Sequence, residues 1–227
     1  MKIVFFGDSL TQGTFGVSYV AKVAAALPRL QLINAGVNGD TSLNLCRRVA
    51  KAVLAHQPDG VVVMIGVNDA MTFGEPGSRA YYRFVKRVPG GLITPAVFRE
   101  NMRILLGKLV AAGVRVWVVL PPLEYSPASL AAMRAMNAAA QTVCQEFNLP
   151  TLDLLARLVT APVPPRPAIS YRTYQHNLRV ALGYQQFDRL RDQGGFIYSF
   201  DGLHLTEAGA QIVADEMVHF LRAQAVS

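Results

Sequence analysis

Short apolar runs rich in valine and isoleucine alternate along this chain with longer stretches of helical period, and that alternation constrains the fold more than any other feature. A strand covered by helices on both faces has no solvent side, so it reads as a continuous apolar run. Five such runs occur, at Lys2–Phe6, Leu30–Asn34, Gly60–Ile65, Val114–Leu120 and, more weakly, Pro150–Leu154. Helices are expected between them over Ser18–Leu27, Ser42–His56, Pro95–Ala112 and Pro127–Phe147, and a last one over Thr206–Arg222. The third carries its own punctuation: Thr94 can cap it, Pro95 suits its first turn, and Gly113 stops it. Its residues Phe98, Met102, Leu105 and Leu109 recur every three or four positions, so they share one buried face.

The expected fold class is therefore α/β: a doubly wound, flavodoxin-like three-layer α/β/α sandwich on a five-stranded parallel sheet. With 227 residues and 52% hydrophobic content, the chain suits one domain over 1–227. Two stretches break the rhythm and read as insertions, approximately 70–93 and 157–195. The first holds Arg79, Arg83, Lys86 and Arg87 against Glu75; the second holds Arg157, Arg166, Arg172, Arg179, Arg189 and Arg191 against Asp188 and Asp192. Together they account for the whole net charge of +7, so the basic character belongs to two segments of a neutral scaffold and does not read as a nucleic-acid surface. No apolar stretch reaches the roughly 18 residues that span a bilayer, so no integral membrane association is expected. Only Lys2 precedes an apolar run that soon meets Asp8, too short for the core of a signal peptide, and a cytoplasmic location is the expectation. Cys46 and Cys144 both fall in helical stretches and read as small core residues.

In a doubly wound sheet, ligands collect beyond the carboxyl ends of the strands. Four polar segments arrive there: Gly7-Asp8-Ser9 after the first strand, Gly39 in VNGDTS after the second, Asn68 in GVND after the third, and Asp201-Gly202-Leu203-His204 before the last helix. Chemically these are the parts of an acyl-transfer site. A serine hydroxyl needs an imidazole to take its proton, and the imidazole needs a carboxylate to fix its tautomer; Ser9, His204 and Asp201 fit those roles. The anion formed on an attacked carbonyl needs fixed donors, for which Ser9 N–H, Gly39 N–H and the Asn68 amide are candidates.

In these four ordered blocks the sequence resembles the GDSL, or SGNH, hydrolases, a family named for a serine, a glycine, an asparagine and a histidine. Gly7-Asp8-Ser9-Leu10 matches its serine block, Gly39 and Asn68 its two donors, and Asp201-x-x-His204 its final block. Leu205 stands where many members have proline, a position that shapes the turn and takes no part in the chemistry. The resemblance implies a serine hydrolase acting on carboxylic esters or thioesters through an acyl-enzyme, with no cofactor. A carbohydrate O-deacetylase of the same family is the alternative, and a non-catalytic anion-binding protein on a flavodoxin-like scaffold is the reading from another class.

Taken singly, each of these residues has a plain structural explanation: Ser9 can cap a helix, Asn68 can fill a turn and Asp8 can bond nearby backbone. His56 and His219 sit in or at the end of helices, where a packed or exposed histidine is ordinary; His176, in the second insertion, is kept with Asp8, Tyr81 and Tyr82 as a candidate substrate contact. The aromatic residues of the insertions, Tyr81, Tyr82, Phe84, Tyr171, Tyr174, Tyr184 and Phe187, either anchor them on the core or line a pocket. No cysteine pair or helical histidine pair has metal-ligand spacing, and no phosphate loop is present. The insertions are expected to cover the Ser9 edge and favour a negatively charged leaving group. The competing expectation is that they pack against a second copy of the chain, making a homo-oligomer.

Overall fold

The computed structural model of the protein describes residues 1–167 and 187–226. The five apolar runs are five parallel strands: β1 (Lys2–Gly7), β2 (Gln31–Gly36), β3 (Gly60–Met64), β4 (Arg115–Leu120) and β5 (Thr151–Asp153), in the order β2-β1-β3-β4-β5. The pairing register runs Phe6 to Ala35 on one side and Phe6 to Val63 on the other, then Val63 to Val118 and Val119 to Leu152. The central strands show why they contain almost nothing polar: Ile3, Val4, Phe5 and Phe6 of β1 and all of β3 are buried. Each such side chain contributes about 1.5–3 kcal/mol by leaving water. β2, at the edge, is only half-buried.

Ten helices join and flank the strands among the described residues: α1 (Ser9–Gln12), α2 (Tyr19–Ala26), α3 (Ser42–Ala52), α4 (Val67–Gly74), α5 (Arg79–Phe84), α6 (Pro95–Ala111), α7 (Pro127–Glu146), α8 (Leu154–Leu158), α9 (Phe187–Gly194) and α10 (Glu207–Ala223). Right-handed crossovers send α2 to one face and α3, α6 and α7 to the other, because the chain moves one way from β1 to β2 and the other way thereafter. The observed packing agrees: α2 lies against α10, and α6 lies between α3 and α7. Thr94 caps α6 by accepting a hydrogen bond from the Val97 N–H at 3.3 Å, with Pro95 in the first turn. The chain reverses its winding direction between β1 and β3, so a crevice opens at their carboxyl ends.

Several boundaries differ from the sequence expectation. The helix expected over Ser42–His56 ends at Ala52 and continues as a 3-10 turn over Leu54–His56, because Val53, at φ −125° and ψ −64°, has left the helical basin. Leu154 belongs to α8 and not to β5, since the Asp153 carboxylate accepts from Ala156 N–H and starts a helix there. The first insertion is mostly helical, holding the end of α4 and all of α5.

Five basic side chains of the insertions have partners within the protein. Arg79 donates to the carbonyls of Thr72 and Phe73, and Lys86 pairs with Asp40 at 2.8 Å. Arg157 pairs with Glu216, and Arg191 with Asp188 and Asp192. The Arg166 guanidinium lies 3.9 Å from the Phe196 ring centre and donates to Gly194 O. Of these, Lys86 and Arg157 tie the insertions to the scaffold, whereas Arg79, Arg166 and Arg191 bond within or just beside their own insertion. Tyr171, Arg172, Tyr174, His176, Arg179 and Tyr184 lie outside the described residues. Among the described residues, no helix is long and apolar enough to cross a membrane. Cys46, half-buried on α3, and Cys144, buried on α7, are both free thiols.

Candidate active site

β1 aims its end at the crevice, and Asp8 turns the chain there. Its Oδ1 accepts from Leu10 N–H at 3.0 Å, capping α1, so that Ser9 becomes the first residue of that short helix. Ser9 is 7% exposed. The loop from Asp201 to His204 is closed by the Asp201 carboxylate, whose Oδ1 accepts from the backbone N–H groups of Leu203 at 3.0 Å and His204 at 2.7 Å. Gly202 makes that turn at φ +88°, and a Cβ there would lie 2.6 Å from Tyr125 Cα. Tyr125 and the turn thus meet at a distance only glycine permits.

The loop brings three functional groups into line. Asp201 Oδ2 lies 2.8 Å from His204 Nδ1, and His204 Nε2 lies 3.1 Å from Ser9 Oγ. With Nδ1–H donating to the carboxylate, Nε2 keeps its lone pair for the serine hydroxyl proton. Burial works to lower the His204 pKa, but the charge of Asp201, its hydrogen bond and the charge of Asp8 outweigh burial and leave it raised. Burial likewise pushes Asp201 upward, and its charge and hydrogen-bond partners, His204 first among them, hold it below the usual carboxylate range. Such a pair resists separation.

Phe15 and Phe200 flank the imidazole, with ring centres 5.5 and 5.9 Å away and planes within 33° and 25° of parallel. Phe187, at the start of α9, stacks on Phe200 at 4.6 Å. The described end of the second insertion thus reaches His204 through one intervening ring.

The candidate oxyanion donors converge from three strand ends. Ser9 opens α1, so its N–H has no partner within that helix. Gly39 sits at φ +72° with its backbone bare, and a Cβ there would come within 2.4 Å of the Tyr81 hydroxyl. Asn68, at the start of α4, is buried and fully bonded: Nδ2 donates to Asp40 O at 2.9 Å and Asp8 Oδ2 at 3.2 Å, and Oδ1 accepts from the Tyr82 hydroxyl at 2.6 Å. An oxyanion beside Ser9 would compete for the longer of the two Nδ2 bonds. Burial pushes Asp8 up to about 7, only partly opposed by Leu10 N–H and His204, so this acceptor binds a proton near neutrality. Of the candidate substrate contacts, Asp8 is 1% exposed and turned to Leu10 and Asn68, Tyr82 is 2% exposed and turned to Asn68, Tyr81 is half-buried beside Gly39, and His176 lies outside the described residues. Among the described residues, no group of three or more His, Cys, Asp and Glu is placed to hold a metal ion.

Sequence reasoning missed Glu124, which follows β4 in the segment PPLEYS. It is 3% exposed. Its Oε2 accepts from Ile197 N–H at 2.8 Å, and its Oε1 accepts from Tyr198 N–H at 3.1 Å, Ser199 N–H at 2.9 Å and Ser199 O–H at 2.6 Å. Glu124 N–H in turn donates to Gly202 O at 3.1 Å. One carboxylate therefore anchors the approach to the Asp201–His204 loop. The available signal was a lone acid at the carboxyl end of an apolar strand.

Residues 5–212 match the model of the GDSL-like lipase/acylhydrolase family. An acetylxylan esterase from Geobacillus stearothermophilus is 36% identical over 86 residues, a stretch covering 30% of this chain and 39% of that protein, well short of its full length. Among solved structures, a lipase/acylhydrolase from Enterococcus faecalis superposes with a TM-score of 0.66 at 25% identity, covering 98% of this chain and 96% of that one. The acetylxylan esterase from G. stearothermophilus superposes with a TM-score of 0.64 at 18% identity, over 97% and 93% of the two chains, a likeness of fold.

Proposed function

This chain belongs to the GDSL-like lipase/acylhydrolase family, and on that premise we propose that it hydrolyses carboxylic esters through an acyl-enzyme on Ser9. The observation that carries the proposal is the unbroken relay from Asp201 through His204 to the Ser9 hydroxyl, with contacts of 2.8 and 3.1 Å. Ser9 Oγ attacks the ester carbonyl as its proton passes to His204 Nε2. Asp201 stabilises the resulting imidazolium and stays ionised. The tetrahedral oxyanion accepts from Ser9 N–H, Gly39 N–H and Asn68 Nδ2–H, each donor contributing about 3 kcal/mol to lowering the barrier. Collapse breaks the ester C–O bond, and His204 returns its proton to the leaving alcohol. Water then repeats the sequence on the acyl-enzyme and frees the acid and Ser9.

The likeness to acetylxylan esterase favours a second reading at the same site, removal of acetyl groups from carbohydrates. Its supporting geometry is the half-buried ring of Phe15 beside His204, where the leaving group must sit to receive its proton. Flat aromatic rings suit the C–H face of a sugar. The test is a hydrolysis screen across 4-nitrophenyl esters of increasing acyl length, alongside acetylated xylo-oligosaccharides. Activity confined to acetyl donors, and higher on the oligosaccharide, supports deacetylation. Preference for long acyl chains supports a lipid-type esterase, and no hydrolysis of any ester by folded protein refutes the proposal.

A further inference from the structure

The first insertion reaches the candidate oxyanion donors from behind. Tyr82, on α5, donates its hydroxyl proton to Asn68 Oδ1 at 2.6 Å. The acceptors Asp40 O and Asp8 Oδ2 surround the other end of that amide, so its orientation is fixed on both sides. With Oδ1 held by Tyr82, the amide cannot turn its oxygen toward the crevice without losing that bond and setting its oxygen against the Asp40 carbonyl.

The same insertion grips the loop that carries Gly39. Lys86 Nζ lies 2.8 Å from Asp40 Oδ1 and 2.7 Å from Asn38 O, so one ammonium spans both neighbours of Gly39. Arg48 completes the clamp on Asp40 at 2.6 Å. The lysine side chain is only 12% exposed and Asp40 5%, in contrast to a surface pair free to open. The Tyr81 hydroxyl lies where a side chain on Gly39 would be, so the insertion closes on that loop only because the residue is glycine.

We propose that Tyr82 and Lys86 are positioning residues of the oxyanion site: Tyr82 sets the Asn68 amide, and Lys86 sets the backbone of Gly39. The first insertion acts on turnover through these two contacts. This rests on the reading of Ser9 as nucleophile and of Asn68 and Gly39 as oxyanion donors.

The experiment is a double-mutant cycle on 4-nitrophenyl acetate with Tyr82→Phe, Asn68→Ala and the pair, with Lys86→Met and Ser9→Ala alongside, each checked for folding by thermal melting. Tyr82→Phe removes one oxygen and keeps the ring. The expected result is a kcat lower by about 10- to 100-fold with KM within about two-fold, since a misaimed donor weakens only the transition state. In the Asn68→Ala background the same substitution should lower kcat no further, because Tyr82 acts through that amide. Lys86→Met should lower kcat similarly with KM within about two-fold, because it sets the Gly39 backbone, and it keeps the proposal testable if Tyr82→Phe does not fold. Full activity in both folded variants, a loss confined to KM, or a Tyr82→Phe loss that multiplies with Asn68→Ala overturns the inference. If Ser9→Ala keeps wild-type turnover, the proposed function itself falls, and this inference with it.

Discussion

Replacing Glu124 by glutamine tests how the Asp201–His204 loop is held. The substitution keeps the side-chain shape and removes the charge. One carbonyl oxygen can still accept from Tyr198 N–H, Ser199 N–H and Ser199 O–H, but the new NH₂ group faces the Ile197 N–H that now lies 2.8 Å from Oε2, donor against donor. Hydrogen bonds to a charged acceptor contribute about 1.5–3 kcal/mol and neutral ones about 0.5–1.5, so each of three bonds weakens by roughly 1 kcal/mol. Ile197 is 53% exposed, so water can reach its N–H and the lost bond adds about 1 kcal/mol. Relief from burying a carboxylate offsets part of this, leaving a net loss of about 2–4 kcal/mol. At about 2–4 °C per kcal/mol for a chain of this size, Tm should fall by roughly 4–16 °C. Melting followed by circular dichroism measures the shift. Turnover of 4-nitrophenyl acetate, well below Tm, should fall by about 10-fold or more, because a 1 Å displacement of His204 disrupts proton transfer. A variant melting within about 2 °C of wild type with unchanged kcat would refute the anchoring role.

Asn68→Ala should lower kcat by roughly 100- to 1000-fold with little change in KM, since two backbone donors remain for the oxyanion; a change confined to KM would make Asn68 a substrate contact instead. The base must be neutral His204, and its pKa is raised, so kcat/KM should climb with pH through a midpoint above that of an ordinary histidine. Asp201→Asn should cost about 10⁴-fold in kcat and move that midpoint down, because only the charge of Asp8 then opposes the effect of burial on the imidazole; an unmoved midpoint would mean that another group is titrating.

The strands were legible in the sequence because a sheet covered on both faces leaves Ile3–Phe6 and Val61–Val63 no polar side, and no other element reads that way. The placement of Ser9, Gly39, Asn68, Asp201 and His204 was legible for a related reason: each lies in a polar segment that follows or closes an apolar run, so topology carries it to one edge. What could not be read were contacts set by the paths of loops. Glu124 meets the backbone near Ser199, 75 residues away, and Lys86 meets Asn38, 48 residues away, through turns with no periodic signal. Lys86 misled for a further reason. Charge on an aromatic insertion reads as a face for ligand, yet the buried Asp40 carboxylate claims it. The α4 helix went unseen because its polar start, Asn68-Asp69, reads as a turn, whereas Asp69 is buried and bonded to Ser42 at the start of α3.

The central claim is that Ser9 is the nucleophile of a serine hydrolase, and the most direct measurement is covalent labelling with a fluorophosphonate, followed by intact-mass analysis and peptide mapping. The account predicts a single adduct on the Ser9 hydroxyl, formed at a rate that falls steeply in His204→Ala and absent in Ser9→Ala. An adduct on any other residue, or ester hydrolysis that persists in Ser9→Ala, would contradict it.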